Sequence, residues 1–501
     1  SGWSVSNNQI IRSDNGGPAL LVGASDGSVY NNTLKGNILS AKISGTNNSI
    51  KNNVFYSAGY AIEIDSNSTN TLDFNAYYSE IDTIAEYITS GFVTSLSEFQ
   101  VYGSDTNSWV LNPRFTTDSV LIPGVVELQN AGSPITGITT DIQNSSRNST
   151  NPSIGAYEYV YDCSTIGLSG VYTINPAGSG SRNYSSISAA VNDLNNLGIC
   201  DDVTFNIRQG TYQEQILVED IYNAGDSGWV TFRNDPNNTA QVIIKDTSRF
   251  EQPGIFVFHK SGFVKLIGLE FEDFGNSNSD ALASHVRFEE ECTNFVIDSC
   301  RFTPSTNNFG RVIGTRFPNE EKSGKYPSGF AFSLDNISVT NCLFKNSMGV
   351  FSVTGEGTTS DMVTAKVLNC TFDSSGTGDL NRCDTVIFTN NTITGLGSYF
   401  ESQLDISNSK VVDITNNKFE NTVHKIILSL TYMYLVPSNR PVNFSNNEIR
   451  ITGAAFTGNR SLISLGSLSK NFNIHHNSVS YNTSSSSVPK CYLFAVSSNT
   501  D

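Results

Sequence analysis

The sequence predicts an all-β fold, a right-handed parallel β-helix wound as two tandem solenoid units. Three observations predict it: a composition of strand and turn formers, a short motif that recurs at coil-length intervals, and an Asn-rich column within that motif. Asn, Ser, Thr, Gly, Val, Ile and Phe are abundant among the 501 residues, and a helical apolar period is almost absent. The 30 Lys and Arg stand against 47 Asp and Glu, a formal net charge of −17 that repels nucleic acid and anionic membranes. The most apolar stretch, Ile426 to Val436, contains Ser and Thr and is too short to span a bilayer. With Ser1 at the start and no basic-then-apolar leader, the chain reads as a mature protein or a piece of a longer one.

The motif is an apolar residue, two variable positions, Asn or Cys, one variable position, then an apolar or aromatic residue. It reads Val5, Asn8, Ile10; Val29, Asn32, Leu34; Ile50, Asn53, Phe55; and Leu72, Asn75, Tyr77. It resumes as Leu266, Leu269, Phe271; Ile297, Cys300, Phe302; Val339, Cys342, Phe344; and Val367, Cys370, Phe372. Four more copies follow: Phe388, Asn391, Ile393; Ile414, Asn417, Phe419; Phe444, Asn447, Ile449; and Ile474, Asn477, Val479. Middle residues lie 24, 21 and 22 positions apart in the first set and 31, 42, 28, 21, 26, 30 and 30 apart later. A constant core with variable spacing means one coil per repeat, with the extra residues expelled into outer loops.

Strand side chains alternate faces, so the first and middle motif residues can both point inward only if a corner intervenes. The residue before the middle one is Asn at positions 7, 31, 52, 341, 369, 390, 416 and 446, and His476 takes that place in the last copy. Asn tolerates the left-handed conformation, which assigns it to a one-residue corner. The next residue then faces inward, and Asn amides stacked at the ~4.8 Å rung spacing can bond one to the next.

This ladder and corner resemble those of the pectin-lyase-like right-handed parallel β-helices, and the resemblance runs over nearly the whole chain. The segment Tyr172 to Tyr212 is similar to the amino-terminal cap and first coil of that superfamily. Within it Ile187, Ala190, Val191, Leu194 and Leu197 keep helical spacing, Ser185 or Ser186 supplies the N-cap, and Gly198 ends the helix, a cap helix near 185–198. "NPSIGAYEY", Asn151 to Tyr159, resembles the closing phrase of β-helix domains in large secreted proteins of the Bacteroidota. These two resemblances divide the chain into residues 1–162, the carboxy-terminal part of a first β-helix, and 163–501, a second with its cap at about 171–212.

Eight cysteines are too sparse for a disulfide scaffold. Cys163 at the junction and Cys200 after the cap helix are expected to form a bridge. Cys300, Cys342 and Cys370 sit in the ladder column, where packing as small apolar groups accounts for them. No Cys-x-x-Cys or paired His spacing points to zinc. Asp82-Thr83-Ile84, Asp118-Ser119-Val120 and Asp384-Thr385-Val386 match the O-glycosylation pattern of the Bacteroidota, which marks Thr83, Ser119 and Thr385.

Many relatives of the resembled superfamily cut or de-esterify acidic polysaccharides, so each catalytic set was sought. "GTYQEQI", Gly210 to Ile216, looks like the first coil of pectin methylesterases, but the later Asp-bearing phrase of that family is missing. Asp201 and Asp202 read as turn solvation beside the cap. Outward positions beside the ladder, Ser6, Tyr30, Lys51, Asp73, Asp298, Thr340, Leu368, Thr389 and Thr415, form a mixed face with no carboxylate column. The long insertion between Cys300 and Cys342 is the candidate ligand loop, with Arg311, Arg316, Lys322, Lys325 and Tyr326 near Glu320 and Glu321, and Glu289 to Glu291 one coil earlier. No cofactor is implied, and structural calcium has no ligand motif. The expectation is therefore an extracellular or cell-surface adhesin or stalk, contacting glycans, other surfaces or neighbouring β-helix domains. The alternatives are a polysaccharide lyase or hydrolase, and a phage tail-spike segment.

Overall fold

The computed structural model describes residues 2–496 apart from 66–68, 82, 88–90, 102–104, 246–253, 273–283, 304–310, 316–333, 348, 355–362, 395–401, 421–425, 432–441, 454–459, 466–471 and 484–490. The chain divides into two compact units, residues 1–166 and 167–501. In each, successive coils stack their strands into three sheets, which among the described residues have four, five and five strands in the first unit and twelve, ten and ten in the second. The strand pairs of the coils are parallel. The exception is Ala85–Tyr87, which pairs antiparallel with Gly91–Val93 as the first unit's third sheet ends. Together they form the right-handed parallel β-helix that the repeat predicts.

The motif sets the register. Ile50 on the first sheet pairs with Val29 and Leu72, and Phe55 on the second pairs with Leu34 and Tyr77. In the second unit the motif's last residues stack as Phe271, Phe302, Phe344 and Phe372, with ring centroids 4.9, 5.1 and 5.0 Å apart. These rings are fully buried, so the column supplies a large part of the apolar burial that drives folding.

Every corner expected from the motif has positive φ, from 52° at Asn31 to 58° at Asn7, Asn369, Asn390 and Asn446. Where Asn is missing, Phe74, Gly268, Ser299 and His476 adopt the same conformation. Just inside the corner the ladder is continuous: Asn8 donates to Asn32, Asn32 to Asn53 and Asn53 to Asn75 at 2.9, 3.0 and 3.0 Å. Each ladder Oδ1 also accepts the backbone N–H of the rung before, as Asn75 does from Asn53 at 3.0 Å. Ser108 takes the last rung of the first unit, its Oγ accepting from Asn75 N at 2.7 Å. In the second unit the same pairing runs from Asn391 through Asn417 and Asn447 to Asn477.

The corner Asn side chains of the first unit do a second job. Asn7 Nδ2 donates to Thr140 O at 2.7 Å, and Asn52 exchanges two bonds with Ser133 at 2.6 and 2.9 Å, which straps the tail of the unit along its solenoid. The "NPSIGAYEY" phrase closes this strap: Ala156 N donates to Thr33 Oγ1, Tyr157 OH to Gln9, and the buried Arg147 to Gly155 O and Asn7 Oδ1.

The cap helix of the second unit spans Ile187–Leu197 and buries Ile187, Ala190, Val191 and Leu194. Of the two candidate caps it uses Ser186, whose Oγ accepts from Ala189 N at 3.0 Å. Gly198 ends it at φ 66°, where a Cβ would stand 2.6 Å from Tyr222 O. The "GTYQEQI" phrase completes the N-terminus: Glu214 accepts from Ile187 N at 3.1 Å and from Ser188 N at 2.7 Å. Asp201 and Asp202 are on the first-sheet strand Ile199–Ile207, not on a turn before it, and Asp202 Oδ1 accepts from Trp229 N at 2.7 Å.

Candidate functional site on the third sheet

The third sheet of the second unit is built from Gly254–His259, Ser284–Glu289, Arg311–Thr315, Gly349–Thr354, Gly378–Asn381, Ser402–Ser407, Ile426–Thr431, Arg460–Leu465 and Cys491–Val496, after the short Ile216–Val218. Phe258, Phe288, Val353, Leu380, Ile406 and Leu430 fill the core. Their preceding neighbours face outward by strand alternation. Those neighbours form one column in register: Val257, Arg287, Gly314, Ser352, Asp379, Asp405, Ser429 and Ser464.

The mixed face expected beside the ladder is a different one from this third-sheet face. Asp379 and Asp405 are direct register partners on adjacent rungs, flanked by Ser352 and Ser429. Their backbones are therefore ~4.8 Å apart. Asp405 Oδ1 is enclosed. Gly314 stands between Arg287 and Ser352 in this column and is buried, as Arg287 is. The column escapes a reading anchored on the ladder because the second-to-third turn varies in length. Ser352 lies ten residues after Cys342, Asp379 nine after Cys370, Asp405 fourteen after Asn391, and Ser429 twelve after Asn417.

The rungs before Gly314 carry a cationic and acidic cluster. Arg287 is 1% exposed and its Nε meets Glu289 Oε1 at 2.8 Å. His259 Nε2 and Lys260 Nζ meet Glu290 at 3.3 and 3.0 Å. The hydrogen bond to Glu290 raises the His259 pKa against the pull of burial. Burial by itself would raise the Glu290 carboxyl, but the bonds and charges of His259 and Lys260 hold it below its ordinary value. His285 is a different case, facing the core edge-on to Phe271 and Phe302, where burial pushes its pKa down to about 3.

Arg311 is not in a loop: the insertion carries the strand Arg311–Thr315, which gives its coil the third-sheet rung that every other coil has. Arg316, Lys322, Lys325 and Tyr326 lie outside the described residues. Cys163 and Cys200 are each disulfide-bonded, whereas Cys292, Cys300, Cys342, Cys370 and Cys383 are free and buried. Of the three O-glycosylation candidates, Ser119 is exposed, Thr83 is half-buried and Thr385 sits within the strand Cys383–Thr389. Among the described residues no helix is long and apolar enough to cross a membrane, and no three or more His, Cys, Asp or Glu side chains converge on a metal position.

No family model and no curated protein matches the chain. Among solved structures it is similar to a pectin methylesterase from Aspergillus niger, at 12% identity and TM-score 0.27 over 66% of this chain and 86% of that one. A rhamnogalacturonan lyase matches at 12% identity and TM-score 0.29 over 63% and 88%. A GH136 lacto-N-biosidase from Eubacterium ramulus matches at 8% and 0.30 over 66% and 67%. At these values the likeness assigns no activity, and the architecture rests on the chain's own sheets: this is a right-handed parallel β-helix protein.

Proposed function

We propose that the protein is a polysaccharide-active enzyme, a hydrolase or lyase, whose catalytic surface is the outer third-sheet face of the second unit. The observation that carries this reading is the in-register pair Asp379 and Asp405 within a polar column. A sugar chain needs polar groups repeated along its path, and a β-helix face repeats them every ~4.8 Å. Two carboxylates one rung apart suit the ~5–5.5 Å spacing at which one acts as nucleophile and the other as proton donor and then base. In this reading the enclosed Asp405 is the acid/base and Asp379 the nucleophile, and Ser352 and Ser429 bond sugar hydroxyls. Two disulfide-bonded cysteines favour an extracellular, oxidising setting.

The test is incubation with a panel of neutral and uronic-acid polysaccharides, following new reducing ends and the ultraviolet absorbance of unsaturated products. Activity that falls at least ~10²-fold in both Asp379→Asn and Asp405→Asn supports the reading. Silence across the panel, or activity indifferent to both changes, overturns it and leaves a non-catalytic surface module as the better account.

A further inference from the structure

The ladder changes chemistry in the middle of the second unit. Cys300, Cys342 and Cys370 take its column on three consecutive rungs, between Leu269 and Asn391. Each thiol stands where the Asn amide nitrogen would. Sγ of Cys300, Cys342 and Cys370 lies 3.4, 3.5 and 3.6 Å from the carbonyls of Leu266, Ile297 and Val339, which are the ladder bonds of the Asn rungs made with sulfur. All three are free and no more than 2% exposed. Cys342 is the middle member, with Cys300 on one side and Cys370 on the other.

We propose that this thiol file is a binding site for a soft monovalent cation, copper(I), held in linear two-sulfur coordination by Cys342 and one of its neighbours. Stacked rungs repeat at ~4.8 Å. Two metal–thiolate bonds of ~2.3 Å laid end to end span nearly that distance. Two neighbouring sulfurs suffice for the linear coordination that copper(I) accepts. Soft sulfur ligands in an apolar wall select copper(I) over harder cations. Without the ion each thiol donates to a backbone carbonyl, so a thiophilic ion must displace those protons to bind. On binding, two S–H bonds break, two S–Cu bonds form, and two protons leave to solvent, with no change in copper oxidation state.

The site is independent of the glycan reading. Copper(I), buffered by a weak competing chelator under nitrogen, is titrated into the intact protein, with stoichiometry followed by native mass spectrometry and coordination by X-ray absorption. One ion per chain with two sulfur neighbours is expected. Cys342→Ser removes it, while Cys300→Ser and Cys370→Ser each keep it, because only Cys342 belongs to both pairs. Ser already serves as a ladder residue at position 108, so these variants are compatible with the fold. Stoichiometric two-sulfur binding that persists in Cys342→Ser, or wild-type protein that takes up copper only after unfolding, overturns the proposal.

Discussion

A ladder Asn is the most constrained residue type in this molecule. Asn417 accepts from the backbone and amide of Asn391, and donates to Phe388 O and to Asn447, all within 3.1 Å and away from water. Truncation leaves buried partners unsatisfied, each costing ~1–3 kcal/mol. Asn417→Ala is therefore expected to destabilise the second unit by about 3 kcal/mol, read from the denaturant midpoint of its unfolding transition. Its neighbour Asn416 is held by backbone conformation instead, at φ 57°. There Asn416→Gly is expected to be nearly neutral and Asn416→Val to cost about 2 kcal/mol, because only the branched side chain meets the left-handed penalty.

His285 carries the pH dependence at the same scale. Its folded pKa is pushed down to about 3, against 6.5 for the exposed ring, so the unfolded state takes up a proton first as pH falls. Stability from this residue is thus intact above the unfolded value and declines between 6.5 and about 3. At pH 5 the loss is about 2 kcal/mol. His285→Phe should abolish this part of the acid sensitivity, seen as a smaller difference between unfolding midpoints measured at pH 7.5 and 5.

Among the elements, the cap helix has the plainest local logic. Ser186 and Glu214 between them accept from the N–H groups of Ile187, Ser188 and Ala189, the donors a helix leaves unpaired at its start. Glu214 comes from the first coil, so it ties the cap to the solenoid as well as favouring the positive end of the helix. Glu214→Ala is expected to lower stability by about 1–2 kcal/mol, and hydrogen exchange should rise first in Ile187–Leu197. On the third sheet, the Arg287–Glu289 pair is buried on both sides, so Glu289→Ala removes a charged partner from a buried guanidinium and should cost about 3 kcal/mol.

Over the whole molecule, what was legible in the sequence is the part that repeats in phase. The apolar, corner and ladder positions lie within a six-residue motif, and its short-range spacing is invariant because one corner residue separates two strands. The fold and the corner residues followed from that local constancy, and the cap from its own helical spacing. The Asp379–Asp405 column did not, since its members sit at unequal distances from the ladder, and only the pairing of backbones brings them into register. The strand Arg311–Thr315 was hidden for the same reason, within an insertion that read as loop. Residue type and local spacing thus determined that this chain winds into a parallel β-helix. Which outward side chains meet on one face was decided by tertiary structure alone, because hydrogen bonding between rungs absorbs every difference in turn length.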